Sequence, residues 1–87
     1  MDFIHEPERI YAQNPQGKVV AEITFPLSED GTAVITHTFV DSSLRGQGVA
    51  DQLVRAAVEQ LRTAGRPVSA TCTYAVKWFA DHPDEAG

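Results

Sequence analysis

Nine consecutive residues, Ser42-Ser43-Leu44-Arg45-Gly46-Gln47-Gly48-Val49-Ala50, are the stretch of this chain best suited to hold a ligand. Gly46, Gly48 and Ala50 carry little or no side chain, so backbone there can approach a bound group closely. The N–H groups that open a helix have no partner inside it, and the helix dipole adds partial positive charge at the same place. With a full charge from Arg45, the stretch reads as an anion site that would hold a pyrophosphate mainly through backbone amides. A plain strand-to-helix turn fits the same residues, because short glycine patterns are common. Asp51, in the same first turn, counts slightly against a phosphate. No Gly-Lys-Ser or Gly-Lys-Thr follows, which excludes a nucleoside-triphosphate loop. The third glycine and downstream acid of a dinucleotide fingerprint are missing as well.

Periodicity supplies the elements that must position this loop. Arg9 to Gln13 is a strand candidate, closed by Asn14-Pro15-Gln16-Gly17 in a tight turn. Lys18 to Phe25 alternates in part and is rich in Val and Ile; Pro26, Ser28, Asp30 and Gly31 then form a second turn before a third strand, Thr32 to Val40. This is an antiparallel meander. In the third strand Ala33, Ile35, His37 and Phe39 fall on one face and Val34, Thr36, Thr38 and Val40 on the other. From Val49 the period changes. Val49, Leu53, Ala57 and Leu61 recur every fourth residue, with Val54 and Val58 widening the stripe, so a long amphipathic helix is predicted, closed by Gly65 and Pro67. Val68 to Thr73 reads as a further strand. Ala75 to Asp81 reads as a short helix that buries Val76, Trp78 and Phe79, and Pro83 ends it. Strand, loop, helix and strand make a βαβ unit with parallel strands, so the fold class is α+β with a mixed sheet.

At 87 residues and 9.5 kDa the chain is expected to be one domain, residues 1–87, with a small core and no room for a separate substrate domain. The hydrophobic fraction of 43% is too high for disorder. Seven Lys and Arg against twelve Asp and Glu give a net charge of -5, which disfavours a nucleic-acid partner. A single cysteine, Cys72, favours the cytoplasm. No basic region followed by an apolar stretch opens the chain, and no apolar run approaches the roughly 18 residues of a membrane span, so neither targeting nor a membrane partner is expected. His5 and His82 have no partner spacing, and no metal site is expected.

Arg45-x-x-Gly48-x-Ala50, following a strand and opening an amphipathic helix, resembles the Gln/Arg-x-x-Gly-x-Gly/Ala motif of the GNAT superfamily of N-acetyltransferases. A group of very short GNAT-like proteins is similar over nearly the whole chain, through His37-Thr38-Phe39-Val40, Arg45 to Ala50, Cys72-Thr73-Tyr74 and His82-Pro83. The resemblance implies a pyrophosphate of acetyl-CoA, the implied cofactor, cradled by Arg45, Gly46, Gln47, Gly48, Val49 and Ala50. It further implies a splayed pair of parallel strands, Thr32 to Val40 and Val68 to Thr73, with the pantetheine arm between them facing the backbone of Phe39 and Val40. Full-length relatives carry two helices between their first strands and two more strands at the C-terminus. Short turns stand in place of those helices here, so the acceptor site would be open and shallow and suited to an exposed amine on a small molecule or peptide.

Larger relatives often place a Tyr in the last helix to protonate the departing thiolate; the matching position is Phe79, which has no hydroxyl. The resemblance therefore turns attention to Cys72 as a nucleophile that would accept the acetyl group, with His37 as its base. Cys72 shares its strand face with Val68 and Ala70 and suits the core equally well. His37, between Ile35 and Phe39, also fits a structural role. Tyr74 is a third candidate, as an acid or as an anchor for the last helix. Three activities remain open: an acetyl-CoA-dependent N-acetyltransferase, a non-catalytic CoA or acyl-CoA binding module, and an interaction domain that binds no nucleotide. Oligomeric state is undetermined, although a second copy would complete an open acceptor face.

Overall fold

The computed structural model describes residues 2–85. Its elements in chain order are β1 (Ile4–Glu6), β2 (Arg9–Gln13), β3 (Val19–Thr24), β4 (Ala33–Ile35), β5 (His37–Val40), α1 (Val49–Thr63), β6 (Val68–Ala70) and α2 (Thr73–Asp81). An antiparallel sheet runs in the order β1-β2-β3-β5, and β4 and β6 form a separate parallel pair. The antiparallel and parallel pairings and the βαβ unit expected from the sequence are all present, with the parallel pair as a ladder of its own. The β2–β3 turn closes because Asn14 Oδ1 accepts from the backbone N–H groups of Gln16 and Lys18, each at 3.0 Å. β1 carries no signal in the sequence: all three of its residues are exposed, so no hydrophobic pattern marks it, and only its pairing with β2 makes it a strand.

The single strand expected from Thr32 to Val40 is broken at Thr36. Ala33 to Ile35 pairs with Val68 to Ala70, whereas His37 to Val40 pairs with Ala21 to Thr24 in the other sheet. Thr36 carries the chain across, its N–H donating to Thr24 O at 3.1 Å and its hydroxyl lying 3.0 Å from that of Thr24. One residue outside both ladders shifts the alternation by one position. Ala33 and Ile35 are buried, but it is then Thr38 and Val40 that face inward and His37 and Phe39 that face out.

α1 buries Val49, Leu53, Val54, Ala57, Val58 and Leu61 in one core with Ile10, Ala12, Ala21 and Ile23 of the sheet. It ends in two reversed hydrogen bonds, Gly65 N–H to Arg62 O at 3.0 Å and Arg66 N–H to Leu61 O at 2.9 Å, around the left-handed Gly65. β6 stops at Ala70, three residues earlier than expected, and α2 begins at Thr73 with Cys72 as its N-cap. Starting there, the helix turns Ala75 and Trp78 inward, leaves Phe79 half-buried and exposes Val76, which the sequence placed in the core.

Leu53 is fully buried at the middle of the α1 stripe. Leu53→Ala is expected to cost about 2–5 kcal/mol of unfolding free energy in a urea titration, a large share of the stability of a domain this size.

Candidate active site

The loop after β5 is built by local polar contacts. Asp41 caps a single 3-10 turn, Ser42–Leu44, accepting from Ser43 N–H at 3.0 Å and from the Ser43 hydroxyl at 2.6 Å. These bonds, hydroxyl first, with Lys18 at 3.7 Å, hold the Asp41 carboxyl below its ordinary pKa. The chain then turns through Gly46 at φ 82° and Gly48 at φ 72°, in the left-handed region that L side chains rarely adopt. A Cβ at either glycine would meet nothing within 4 Å, so the space beside the backbone is open. Gly48 is the N-cap of α1 and brings no capping side chain, so the first-turn N–H groups face this space without a side-chain acceptor at the cap.

The open space is a concavity of about 240 Å³ lined by Val40, by Leu44, Arg45, Gly46 and Gly48 of the loop, by Val49, Ala50 and Asp51 of α1, and by Tyr74 of α2. Six of the eight residues expected to bind cofactor thus meet at one site. Gln47 is exposed and lies outside the lining, as does Phe39, whose side chain points away from the core on the outer face of β5. Val40 at the end of β5 and Tyr74 at the start of α2 give the concavity walls from the two segments that follow the parallel strands. Ile35 O accepts from both Thr71 N–H at 3.0 Å and Cys72 N–H at 3.1 Å; beyond it β5 turns to β3 and the other chain segment enters α2. β5 is the last strand of its sheet; Asp41 N–H donates to Val20 O, so by alternation Phe39 turns its backbone groups to β3 and Val40 turns its own to the unpaired edge.

Cys72 is half-buried at this parting, against the core, and its Sγ lies 3.6 Å from Thr38 Oγ1. The expected Cys72–His37 pair is therefore replaced by a Cys72–Thr38 contact. The break at Thr36 accounts for the change, because it turns Thr38 toward Cys72 and His37 to the opposite, exposed face. Burial pushes the Cys72 thiol up. The N–H of Ala75, the Thr38 hydroxyl, the N–H of Tyr74 and the N–H of Thr38 outweigh that effect and bring it below the ordinary thiol value of 9.0. A lowered thiol has more thiolate at any pH beneath that value. Iodoacetamide labelling of Cys72 should accordingly titrate with a midpoint under 9.0, and a midpoint at or above it would contradict the stabilising role of the α2 amides.

Tyr74 stands across the concavity from the loop and is 41% exposed. Burial and then the Asp51 charge raise its phenol above the ordinary value of 10.0, so it stays protonated through the neutral range. The Asp51 carboxylate, the feature that counted against a phosphate, accepts a 2.6 Å hydrogen bond from the Trp78 indole N–H. Thr38, Asp41 and Trp78 are the site residues that sequence reasoning missed. Asp41-x-Ser43 is a readable N-cap signal, whereas Thr38 and Trp78 meet their partners over separations of 34 and 27 residues, which no local pattern encodes.

Parting parallel strands, a helix N-terminus without a side-chain cap and a glycine loop are together the arrangement of a GNAT-type fold. The model of the GCN5-related N-acetyl-transferase family matches residues 9–87, and the chain belongs to that family. A candidate GCN5-like N-acetyltransferase from Staphylococcus aureus has a similar solution structure, with 26% identity, a TM-score of 0.78 and coverage of 97% of this chain and 82% of that one. A Mycobacterium tuberculosis protein solved with CoA shares 24% identity and superposes with a TM-score of 0.67 over 87% of this chain and 47% of its own. The ribosomal-protein-alanine N-acetyltransferase of Brucella melitensis has the same fold at 18% identity and a TM-score of 0.64, over 84% of this chain and 59% of that one. The chain thus spans most of the small Staphylococcus protein and about half of the larger relatives. A comparison with curated proteins finds no match. Among the described residues no helix is long and apolar enough to cross a membrane.

Proposed function

We propose that this protein transfers an acetyl group from acetyl-CoA to an exposed amine of a small molecule or peptide. The observation that carries the reading is the cradle itself: two left-handed glycines with open space beside them, at a helix N-terminus without a side-chain cap, facing one concavity together with Arg45 and Tyr74. These features suit a pyrophosphate, because amides, dipole and guanidinium all present positive charge to one place. Val49 and Ala50 N–H groups and Arg45 would hold the phosphates, and the free edge of β5 at Val40, next to Phe39, would hold the pantetheine arm. Acetyl-CoA supplies an acetyl group activated as a thioester.

The chain's own residues then manage protons. Tyr74 keeps a proton on Oη for a departing thiolate. His37, exposed on the outer face of β5, takes the proton that an ammonium acceptor approaching from that face must lose before it attacks. In a two-step route Cys72, with its thiolate favoured by the start of α2, would take the acetyl group as a thioester while CoA leaves with the Tyr74 proton, and the amine would then take the acetyl group as the Cys72 thiolate leaves. The absence of helices between the first strands leaves the outer face with His37 and Phe39 uncovered, consistent with an acceptor carried on a larger molecule. The single cysteine supports a cytoplasmic location.

Calorimetry with acetyl-CoA, followed by intact-mass spectrometry of the same sample and of Cys72→Ala, tests the reading. Saturable binding with an acetyl adduct lost in Cys72→Ala supports the two-step route. Binding and amine acetylation without an adduct support direct transfer, and binding without acetylation of any amine offered leaves a CoA-binding module. Absence of binding overturns the proposal.

A further inference from the structure

Asp51 poses a difficulty for the proposed phosphate cradle, and its resolution rests on that functional reading. A carboxylate in the first turn of a helix is drawn to the same N–H groups and the same dipole that would hold a phosphate. Asp51 forms part of the wall between the loop concavity and a second one of about 270 Å³ bordered by Tyr74, Lys77, Trp78, Asp81 and His82. Which of the two its charge serves depends on what holds the carboxylate.

The structure supplies a holder. Trp78 Nε1–H donates to Asp51 Oδ1 at 2.6 Å, from an indole that is 4% exposed. The ring has little freedom to turn. His82 stacks on it with centroids 4.1 Å apart and planes 17° apart, and His82 Nδ1–H donates to Trp78 O at 2.8 Å. Phe79 meets it edge-on at 5.4 Å, and the Arg55 guanidinium lies over it at 5.4 Å. The direction of the indole N–H is therefore set by packing on several sides.

We propose that Trp78 is a positioning residue for the anion cradle: its indole N–H holds the Asp51 carboxylate toward α2 and keeps it from occupying the N–H groups of Val49 and Ala50. The same bond ties α2 to the first turn of α1 and so sets Tyr74 across from the loop. A phenylalanine at this position would keep most of the packing and lose the donor. The released carboxylate would then compete with the phosphates.

The test is a double-mutant cycle on CoA affinity, measured by calorimetry with CoA itself on wild type, Trp78→Phe, Asp51→Asn and the double variant. Trp78→Phe should weaken binding by about tenfold, about 1.4 kcal/mol and within the range of charge effects at a helix N-terminus. Asp51→Asn in that background should restore affinity to within about threefold of wild type, and alone it should change affinity by about threefold or less, because the carboxylate is already held away. A purely structural role for Trp78 would not be rescued by Asp51→Asn. Unchanged affinity in Trp78→Phe, loss without rescue, or a gain of about tenfold in Asp51→Asn alone each overturns the inference.

If Trp78→Phe does not fold, the Asp51→Asn arm decides together with the indole resonance, which is single because the chain has one tryptophan. A shift of that resonance on Asp51→Asn, with affinity within about threefold, upholds the inference; an unmoved resonance overturns it. Wild-type protein that binds no CoA overturns the proposed function and this inference with it, whereas wild-type binding without rescue overturns the inference alone.

Discussion

Gly48→Val should bind CoA about 100-fold more weakly than wild type while remaining folded. Gly48 sits at φ 72° as the N-cap of α1. A β-branched residue there places Cβ against its own backbone, at a cost of about 1–2 kcal/mol or more. The new methyl groups also enter the open space beside the loop, where a Cβ would meet no protein atom within 4 Å and where a phosphate would lie. Strain that turns the amides and bulk that keeps a ligand from them act on the same interaction, and together about 2.7 kcal/mol corresponds to the 100-fold. The fold survives because α1 is held by Leu53, Val54, Ala57, Val58 and Leu61, all beyond the substituted position. Gly48→Ala, with one methyl and less strain, should lose about tenfold. Calorimetry with CoA beside circular dichroism separates affinity from folding, and wild-type affinity in Gly48→Val would remove the cradle as the binding element.

Tyr74→Phe should lower kcat for amine acetylation by about 100-fold or more, with a smaller effect on KM for acetyl-CoA, because only the hydroxyl is removed from a side chain that still lines the concavity. The pH dependence follows from the direction of the shift. An acid must be protonated to act, and burial with the Asp51 charge raises the Tyr74 phenol above 10.0. Loss of activity from this group therefore begins only at pH values above the ordinary phenol range, and the wild-type to variant ratio should stay constant through neutral pH. Equal kcat in Tyr74→Phe and wild type would assign the proton to another group. A Cys72→Ala variant that also kept full activity would leave direct transfer, with no acetyl-Cys step.

Much of this architecture is written locally. The four-residue recurrence of Val49, Leu53, Ala57 and Leu61 marks α1, and Gly65 with Pro67 marks its end, because helix periodicity and a left-handed cap need only neighbours in sequence to be legible. The loop is legible for the same reason: its glycines, its arginine and the helix start all lie within six residues, Arg45 to Ala50. β1 is illegible because its residues are all exposed and depend on β2 for their hydrogen bonds.

The candidate catalytic side chains are where the sequence and the structure part. Composition and spacing determine that this is a small mixed α+β domain with a glycine-rich loop at the start of one long helix, since each of those properties comes from residues a few positions apart. Only the tertiary structure decides that the chain changes sheets at Thr36, that Thr38 rather than His37 meets Cys72, and that Trp78 takes the carboxylate of Asp51. A change of sheet is set by which strand offers hydrogen bonds on each side, and one residue outside both ladders then reverses the alternation along β5. That reversal depends on partners up to 34 residues away, so it exists only once the sheets have formed.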